Sequence, residues 1–170
     1  MIVLMAGLPG TGKTTLAREL ARHTNGRVLS KDEFRHALFV PEEIEYSLRQ
    51  DDFVLQIMLQ TAEYLLARDP ARRIFLDGRP FSRRYQIENV IAAADSLHHS
   101  WRILECICSE EIARQRIERD AGSGVHPAGN RDYQLYLEVK ARFEAITFPK
   151  ILIDTGDPLE NCVRRALENL

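Results

Sequence analysis

Residues 7–14 read Gly-Leu-Pro-Gly-Thr-Gly-Lys-Thr and fit the pattern G-x-x-x-x-G-K-[ST] without a mismatch. Each residue type in it has a chemical task. Glycines let the backbone take positive φ and turn its N–H groups inward with no Cβ in the way. A lysine at position 13 can reach the β- and γ-phosphates of a nucleoside triphosphate, and the Thr14 hydroxyl can ligate Mg²⁺. Leu8, Pro9, Gly10, Thr11, Gly12, Lys13, Thr14 and Thr15 are therefore the candidate cradle for ATP. The competing reading is a glycine-rich turn with no chemistry. Context separates the two: an apolar strand-like run, residues 2–6, precedes the glycines, and a helical pattern follows them. A helix N-terminus at that point favours anions.

A second constellation is Ser30-Lys31-Asp32-Glu33-Phe34-Arg35. Ser30 and Glu33 have capping-box spacing, so a helix starts here and Asp32 falls in its first turn. In a parallel α/β sheet this edge is where ligands bind. A carboxylate there can accept a proton from an attacking hydroxyl, and Arg35 can hold a phosphate or acidic group. Asp32 can equally serve the helix dipole, with Arg35 solvated. Asp77 ends the apolar run Ile74-Phe75-Leu76. It can hold Mg²⁺ beside Thr14, usually through water, or it can cap the turn into Gly78. Arg79, Arg83 and Arg84 follow as a local positive patch. Arginines are unfavourable at a helix start, so a phosphate-facing role for Arg79 competes with simple solvation.

The elements that must position these residues alternate along the chain. Residues 2–6, 27–30, 73–77, 102–108 and 150–154 are short, nearly continuous apolar runs, the mark of strands covered on both faces. Between them lie helical patterns. In 43–67 the buried face is Ile44, Leu48, Leu55, Met58, Leu59, Ala62 and Leu66; in 82–98 it is Ile87, Val90, Ile91, Ala94 and Leu97, with Ser82 as N-cap. Tyr136, Val139, Phe143 and Ile146 mark a further helix, and Asp157-Pro158-Leu159-Glu160 opens a last one with Asp157 as cap. The class is α/β. Residues 121–130 hold three glycines and a proline and read as a loop between two helices.

Composition sets the bounds. At 170 residues, with 45% apolar and 28% charged residues, one soluble domain is expected. The net charge of −2 disfavours, without excluding, a nucleic-acid partner. The opening apolar run is too short for a signal-peptide core, and no stretch reaches the roughly 20 apolar residues of a membrane helix. Three cysteines without metal-ligand spacing read as buried thiols in a reducing cytoplasm. His126 and the His98-His99 pair also lack ligand spacing.

The cradle, SKDEFR after the second strand, FLDGRPFSRR after the third and CSEEIARQRIERD after the fourth occur in one order. In that order the chain resembles small P-loop kinases of the AAA-33 type. Its likeness is to the polynucleotide 5′-kinase domain and, more distantly, to chloramphenicol phosphotransferase and zeta-toxin-like kinases. The resemblance implies a three-layer α/β/α fold on a five-stranded parallel sheet of order 2-3-1-4-5. It implies that Asp32 is the base for the acceptor hydroxyl and that Arg35 engages the acceptor; by their place at the same sheet edge, Asp77 and Arg79 are further candidates to touch the acceptor. It implies a lid over residues 109–135, whose arginines close on the transferring phosphoryl group. Arg119 matches that position best and Arg116 next, with Arg114 and Arg131 as alternatives. It also implies that residues 155–157 lie near the adenine.

The expected activity is thus an ATP- and Mg²⁺-dependent kinase acting on a hydroxyl of a small molecule or nucleoside-like acceptor. A polynucleotide 5′-hydroxyl kinase is the first alternative, and a nucleotide-binding module or ATPase without an acceptor the second. The absence of a guanine-selective motif favours ATP. Nothing in the pattern specifies an oligomeric state.

Overall fold

A computed structural model describes residues 1–123 and 132–170. The five strands are β1 (Ile2–Ala6), β2 (Gly26–Ser30), β3 (Arg73–Asp77), β4 (Trp101–Ile107) and β5 (Ile151–Asp154). The helices are α1 (Lys13–His23), α2 (Lys31–Leu38), α3 (Leu48–Arg68), α4 (Arg84–Ser96), α5 (Glu110–Ser123), α6 (Tyr133–Ala141) and α7 (Leu159–Leu167). The strands form one sheet in the order β2-β3-β1-β4-β5, and all four pairings are parallel. The three-layer fold implied by the resemblance is the one observed.

Side-chain alternation along β1 makes the layers. Ile2, Leu4 and Ala6 point to one face and pack with Val54, Met58 and Leu66 of α3 and Ile87, Val90 and Ala94 of α4. Val3 and Met5 point to the other, against Leu16 and Leu20 of α1 and Val163 and Ala166 of α7. All five β1 residues are fully buried. This is why the strand reads as a continuous apolar run rather than an alternating one. The register pairs Ser30 with Asp77, so the end of β2 and the end of β3 open on the same edge of the sheet.

Several boundaries differ from expectation, each for a local reason. α3 starts at Leu48, because the Ser47 hydroxyl accepts from the Gln50 N–H at 3.1 Å. Gln50 folds back to donate to the Glu43 carbonyl at 2.8 Å, so Ile44 lies outside the helix, and Leu48 is exposed. Ser82 is not the cap of α4. Glu144 takes that role: its carboxylate accepts from the Arg84 N–H at 2.7 Å and from Arg83 Nη1 at 2.9 Å. The Arg84 backbone bond, then Arg83, hold the Glu144 carboxyl below its ordinary range. α6 ends at Ala141, and Phe143 and Ile146 pack into the core from the chain that follows. Pro158, not Asp157, takes the cap position of α7, with no side-chain cap bond. Cys106 is buried in the core, whereas Cys108 lies past the end of β4 and packs near Ala113, Ile117 and Tyr136. α5 continues through Ser123, three residues into the expected loop; the rest of that loop, with His126 and Arg131, lies outside the described residues.

Candidate nucleotide and acceptor cleft

The cradle has the geometry its glycines predict. Gly7, Gly10 and Gly12 take φ of 128°, 79° and 74°. A Cβ at Gly7 would sit 2.2 Å from the Cys106 carbonyl oxygen, and one at Gly10 would sit 2.6 Å from that of Ala113. The loop is thus wedged between β4 and α5 where only glycine fits. Gly12 occupies the N-cap position of α1 without a side chain to satisfy the helix's first N–H groups, and no acidic residue stands in the first turn. That leaves an electropositive helix end facing the cleft.

Lys13 is buried, and its Nζ donates to the carbonyls of Gly7 at 2.8 Å and Leu8 at 2.6 Å. The Thr11 hydroxyl also donates to the Leu8 carbonyl, at 2.7 Å. Thr14 and Asp77 line the same cleft, and Asp77 Oδ1 is buried without a hydrogen-bond partner. An orphaned carboxylate oxygen there suits a hydrated divalent cation. No cluster of three His, Cys, Asp or Glu that could hold a metal occurs among the described residues. A magnesium ion held by Thr14 and Asp77 would complete its shell with phosphate oxygens and water. The residues present fit MgATP.

Asp32 stands in the first turn of α2, buried, opposite the cradle across a cleft of about 670 Å³, a volume typical of small-molecule sites. Ser30 caps the helix, accepting from the Glu33 N–H at 3.4 Å. Gly78, at φ 88°, lets this turn lie close to the end of β3: a Cβ there would meet Lys31 at 3.1 Å. Arg35 Nη1 donates to Asp32 Oδ1 at 2.9 Å, and its Nη2 to Asp51. Arg79 is also buried, donating to Asp52 at 2.5 Å. The expected alternative of solvated arginines therefore fails for Arg35 and Arg79 and holds only for Arg83 and Arg84, the pair nearest Glu144. Lys31 donates to Asp51 at 2.9 Å; burial pulls its pKa below the ordinary lysine value, against the opposing pull of Asp51 and Asp32.

The lid arginines part company. Arg116 turns inward and donates to the Thr155 carbonyl at 2.7 Å, to its hydroxyl at 3.0 Å and to the Gly10 carbonyl at 3.4 Å. The Thr155 hydroxyl in turn donates to the Thr11 carbonyl at 2.9 Å. Arg116 thus brackets the cradle to the loop after β5, where Thr155 and Asp157 line the cleft. Arg119 also lines the cleft, with its side chain 77% exposed. Arg114 points elsewhere, to Glu118 and over the Tyr133 ring. Sequence reasoning missed Tyr46, Asp51, Asp52 and Thr155's bracing role. The signal for the first three was limited to an aromatic and two acids near the start of a helix.

A parallel α/β sheet, a glycine cradle at a helix N-terminus and a carboxylate facing it define a P-loop nucleotide-binding domain. Residues 2–146 match the model of the AAA_33 family, described as an AAA domain, and the chain belongs to that family. No curated protein matches it by sequence. Among solved structures it is similar to a kinase candidate from Chloroflexus aurantiacus, at 20% identity and TM-score 0.74 over 99% of this chain and 97% of that one. It is similar to the APS kinase of Mycobacterium tuberculosis in complex with AMPPNP and APS, at 15% identity and TM-score 0.72 over 98% and 95%. Chaetomium thermophilum Kti12 in complex with ADP-AlF3 also matches, at 16% identity and TM-score 0.69 over 99% and 96%. At these identities the likeness is one of fold. No helix among the described residues is long and apolar enough to cross a membrane.

Proposed function

We propose that the protein is an ATP-dependent kinase that transfers the γ-phosphoryl group to a hydroxyl of a small molecule. The observation that carries this is one cleft lined on one side by Gly10, Gly12, Lys13 and Thr14 and on the other by buried Asp32. Holding magnesium for nucleotide binding is a task for Asp77, and a second carboxylate in the cleft calls for another. It has one in transfer. The kinase names and bound nucleotides of the structural neighbours agree with this reading.

In the proposed reaction the cradle amides and Lys13 bind the β- and γ-phosphates and neutralise charge as it shifts toward the leaving oxygen. Asp32 accepts the acceptor's hydroxyl proton while the oxygen–phosphorus bond forms and the bond to the β-phosphate oxygen breaks, leaving ADP. Arg35 holds Asp32 Oδ1 and fixes the direction in which the carboxylate faces. When bound by Thr14 and Asp77, magnesium supplies further charge neutralisation on the phosphate oxygens. Arg119, on an exposed helix face at the cleft and paired with Asp120, covers the transferring group, and Arg116 keeps the cradle closed against Thr155.

The test is transfer of labelled γ-phosphate to a panel of metabolites, nucleosides and 5′-hydroxyl oligonucleotides. Asp32→Asn is expected to bind ATP as the wild type does and to lose transfer, whereas Lys13→Ala loses both. Full transfer by Asp32→Asn refutes the base assignment. ATP hydrolysis indifferent to Asp32→Asn, with no labelled acceptor, refutes the kinase reading.

A further inference from the structure

The acceptor side of the cleft carries three buried cations, Lys31, Arg35 and Arg79, and each already has a carboxylate. Lys31 Nζ donates to Asp51 Oδ1 at 2.9 Å. Arg35 spans Asp32 Oδ1, at 2.9 Å, and Asp51 Oδ1. Arg79 Nη2 donates to Asp52 Oδ1 at 2.5 Å and Nη1 to the Asp51 carbonyl at 3.5 Å. The Tyr85 hydroxyl donates to the second oxygen of Asp52 at 3.3 Å. The Nε atoms of Arg35 and Arg79 are sealed from solvent and add no donor that a ligand can reach. Three cations thus face three carboxylates, and two of the carboxylates come from adjacent residues of α3.

This balance decides what can enter. An anionic acceptor would lose its hydration and find the guanidinium ends already paired, with Asp51 repelling it. A neutral polyol keeps the lattice intact and exchanges hydrogen bonds with carboxylate oxygens that accept more than one donor. Tyr46 adds a suitable wall: its ring lies 5.0 Å from the Arg35 guanidinium carbon, and its backbone holds φ 50°, a strained value for a tyrosine. Arg18, paired with Glu33 of α2, and Arg142 also line the cleft, and both are exposed. A solvated guanidinium discriminates weakly.

We infer that the acceptor is an uncharged polyhydroxylated small molecule, and that Asp51 determines this selectivity by pairing with Lys31 and Arg35 and offsetting their charge. The inference rests on the kinase reading and narrows its substrate class. It is tested with matched acceptors that differ in charge, glucose against gluconate and adenosine against adenosine 3′-monophosphate, together with a 5′-hydroxyl oligonucleotide. In the wild type each neutral member is expected to exceed its anionic counterpart in kcat/KM by about tenfold or more, carried by KM. Asp51→Asn frees the Lys31 and Arg35 donors and is expected to narrow that ratio by about tenfold through a lower KM for the anionic member. A purely structural role for Asp51 would lower both members equally and leave the ratio alone, which overturns its assignment. Preference of the wild type for gluconate, the nucleotide or the oligonucleotide overturns the inference while leaving the kinase reading standing. Absence of product from every member and from the wider metabolite panel, with ATP hydrolysis indifferent to Asp32→Asn, overturns the kinase reading itself. If Asp51→Asn does not fold, the wild-type ratios decide.

Discussion

Alanine at Gly10 and at Gly12 separates two demands that the cradle makes of its glycines. Both residues hold left-handed φ, 79° and 74°, so either substitution costs about 1–2 kcal/mol in backbone strain. Their surroundings differ. A Cβ at Gly10 meets the Ala113 carbonyl oxygen at 2.6 Å and Ala113 Cα and Ile117 Cγ1 at 3.1 Å. Two of those atoms are helix backbone that cannot rotate away, so α5 must shift, adding about 1–3 kcal/mol of overpacking. A Cβ at Gly12 meets nothing closer than Arg116 Nη1 at 3.4 Å and adds no such cost. At this chain length about 1 kcal/mol moves Tm by roughly 2–4 °C. Gly12→Ala is then expected to lower Tm by about 2–8 °C and Gly10→Ala by about 4–20 °C. Scanning calorimetry without nucleotide measures both, and titration with a non-hydrolysable ATP analogue measures binding. Gly12→Ala should lose affinity out of proportion to its stability, because its methyl enters the cleft. A Gly10→Ala protein that melts with or above Gly12→Ala refutes the wedge of α5 on the cradle. Wild-type affinity in Gly12→Ala refutes the placement of phosphate there.

The two lid arginines should fail differently. Arg116→Ala removes three hydrogen bonds between α5, the cradle and the β5 loop, so Tm and ATP affinity both fall. Arg119→Ala, at an exposed position, should leave the unfolding free energy within about 0.5 kcal/mol of wild type and lower kcat on the order of 10³-fold; a thermal shift without a kinetic loss contradicts that division. Burial pushes the Cys106 thiol up to about 12, so it should resist alkylation in the native state at mildly alkaline pH while half-buried Cys108 reacts first. Because the unfolded thiol ionises near its ordinary value, the stability linked to Cys106 is intact below about pH 9 and lost as pH rises toward about 12. Urea unfolding across that range should fall more steeply for the wild type than for Cys106→Ala, by up to about 1.4 kcal/mol per pH unit; equal slopes refute the assignment.

What the sequence revealed and what it hid divide by contact range. The apolar run of β1 and the glycines after it are local signals, and the strand, the cradle and the helix behind it all stand where those residues place them. The start of α3 was obscured because Ile44 continues the apolar spacing of Leu48 backward past Ser47, whose capping bond to Gln50 is the stronger local determinant. The conflict of arginines at the start of α4 had a distant answer. Glu144, some sixty residues away in sequence, supplies the negative charge that the helix start lacks. Arg79 was equally undecidable from its neighbours, since its partner Asp52 lies 27 residues earlier on another helix.

This asymmetry has a physical origin in the two halves of the cleft. A phosphate cradle is built from successive backbone N–H groups converging on one ion, so a single contiguous loop must carry it, and its residues leave a compact pattern. An acceptor is recognised by side chains, and in the proposed reading these come from α2, the loop after β3 and the first turns of α3, joined by ion pairs spanning 16 to 27 residues. Only tertiary packing brings such pairs together. Asp51 and Asp52 belong to α3, whereas Gly10, Gly12 and Lys13 belong to the loop and helix that follow β1. The donor side is fixed by backbone geometry and the acceptor side by a few exchangeable charges. A change of acceptor class then requires re-pairing Lys31, Arg35 and Arg79, not rebuilding the loop that holds ATP.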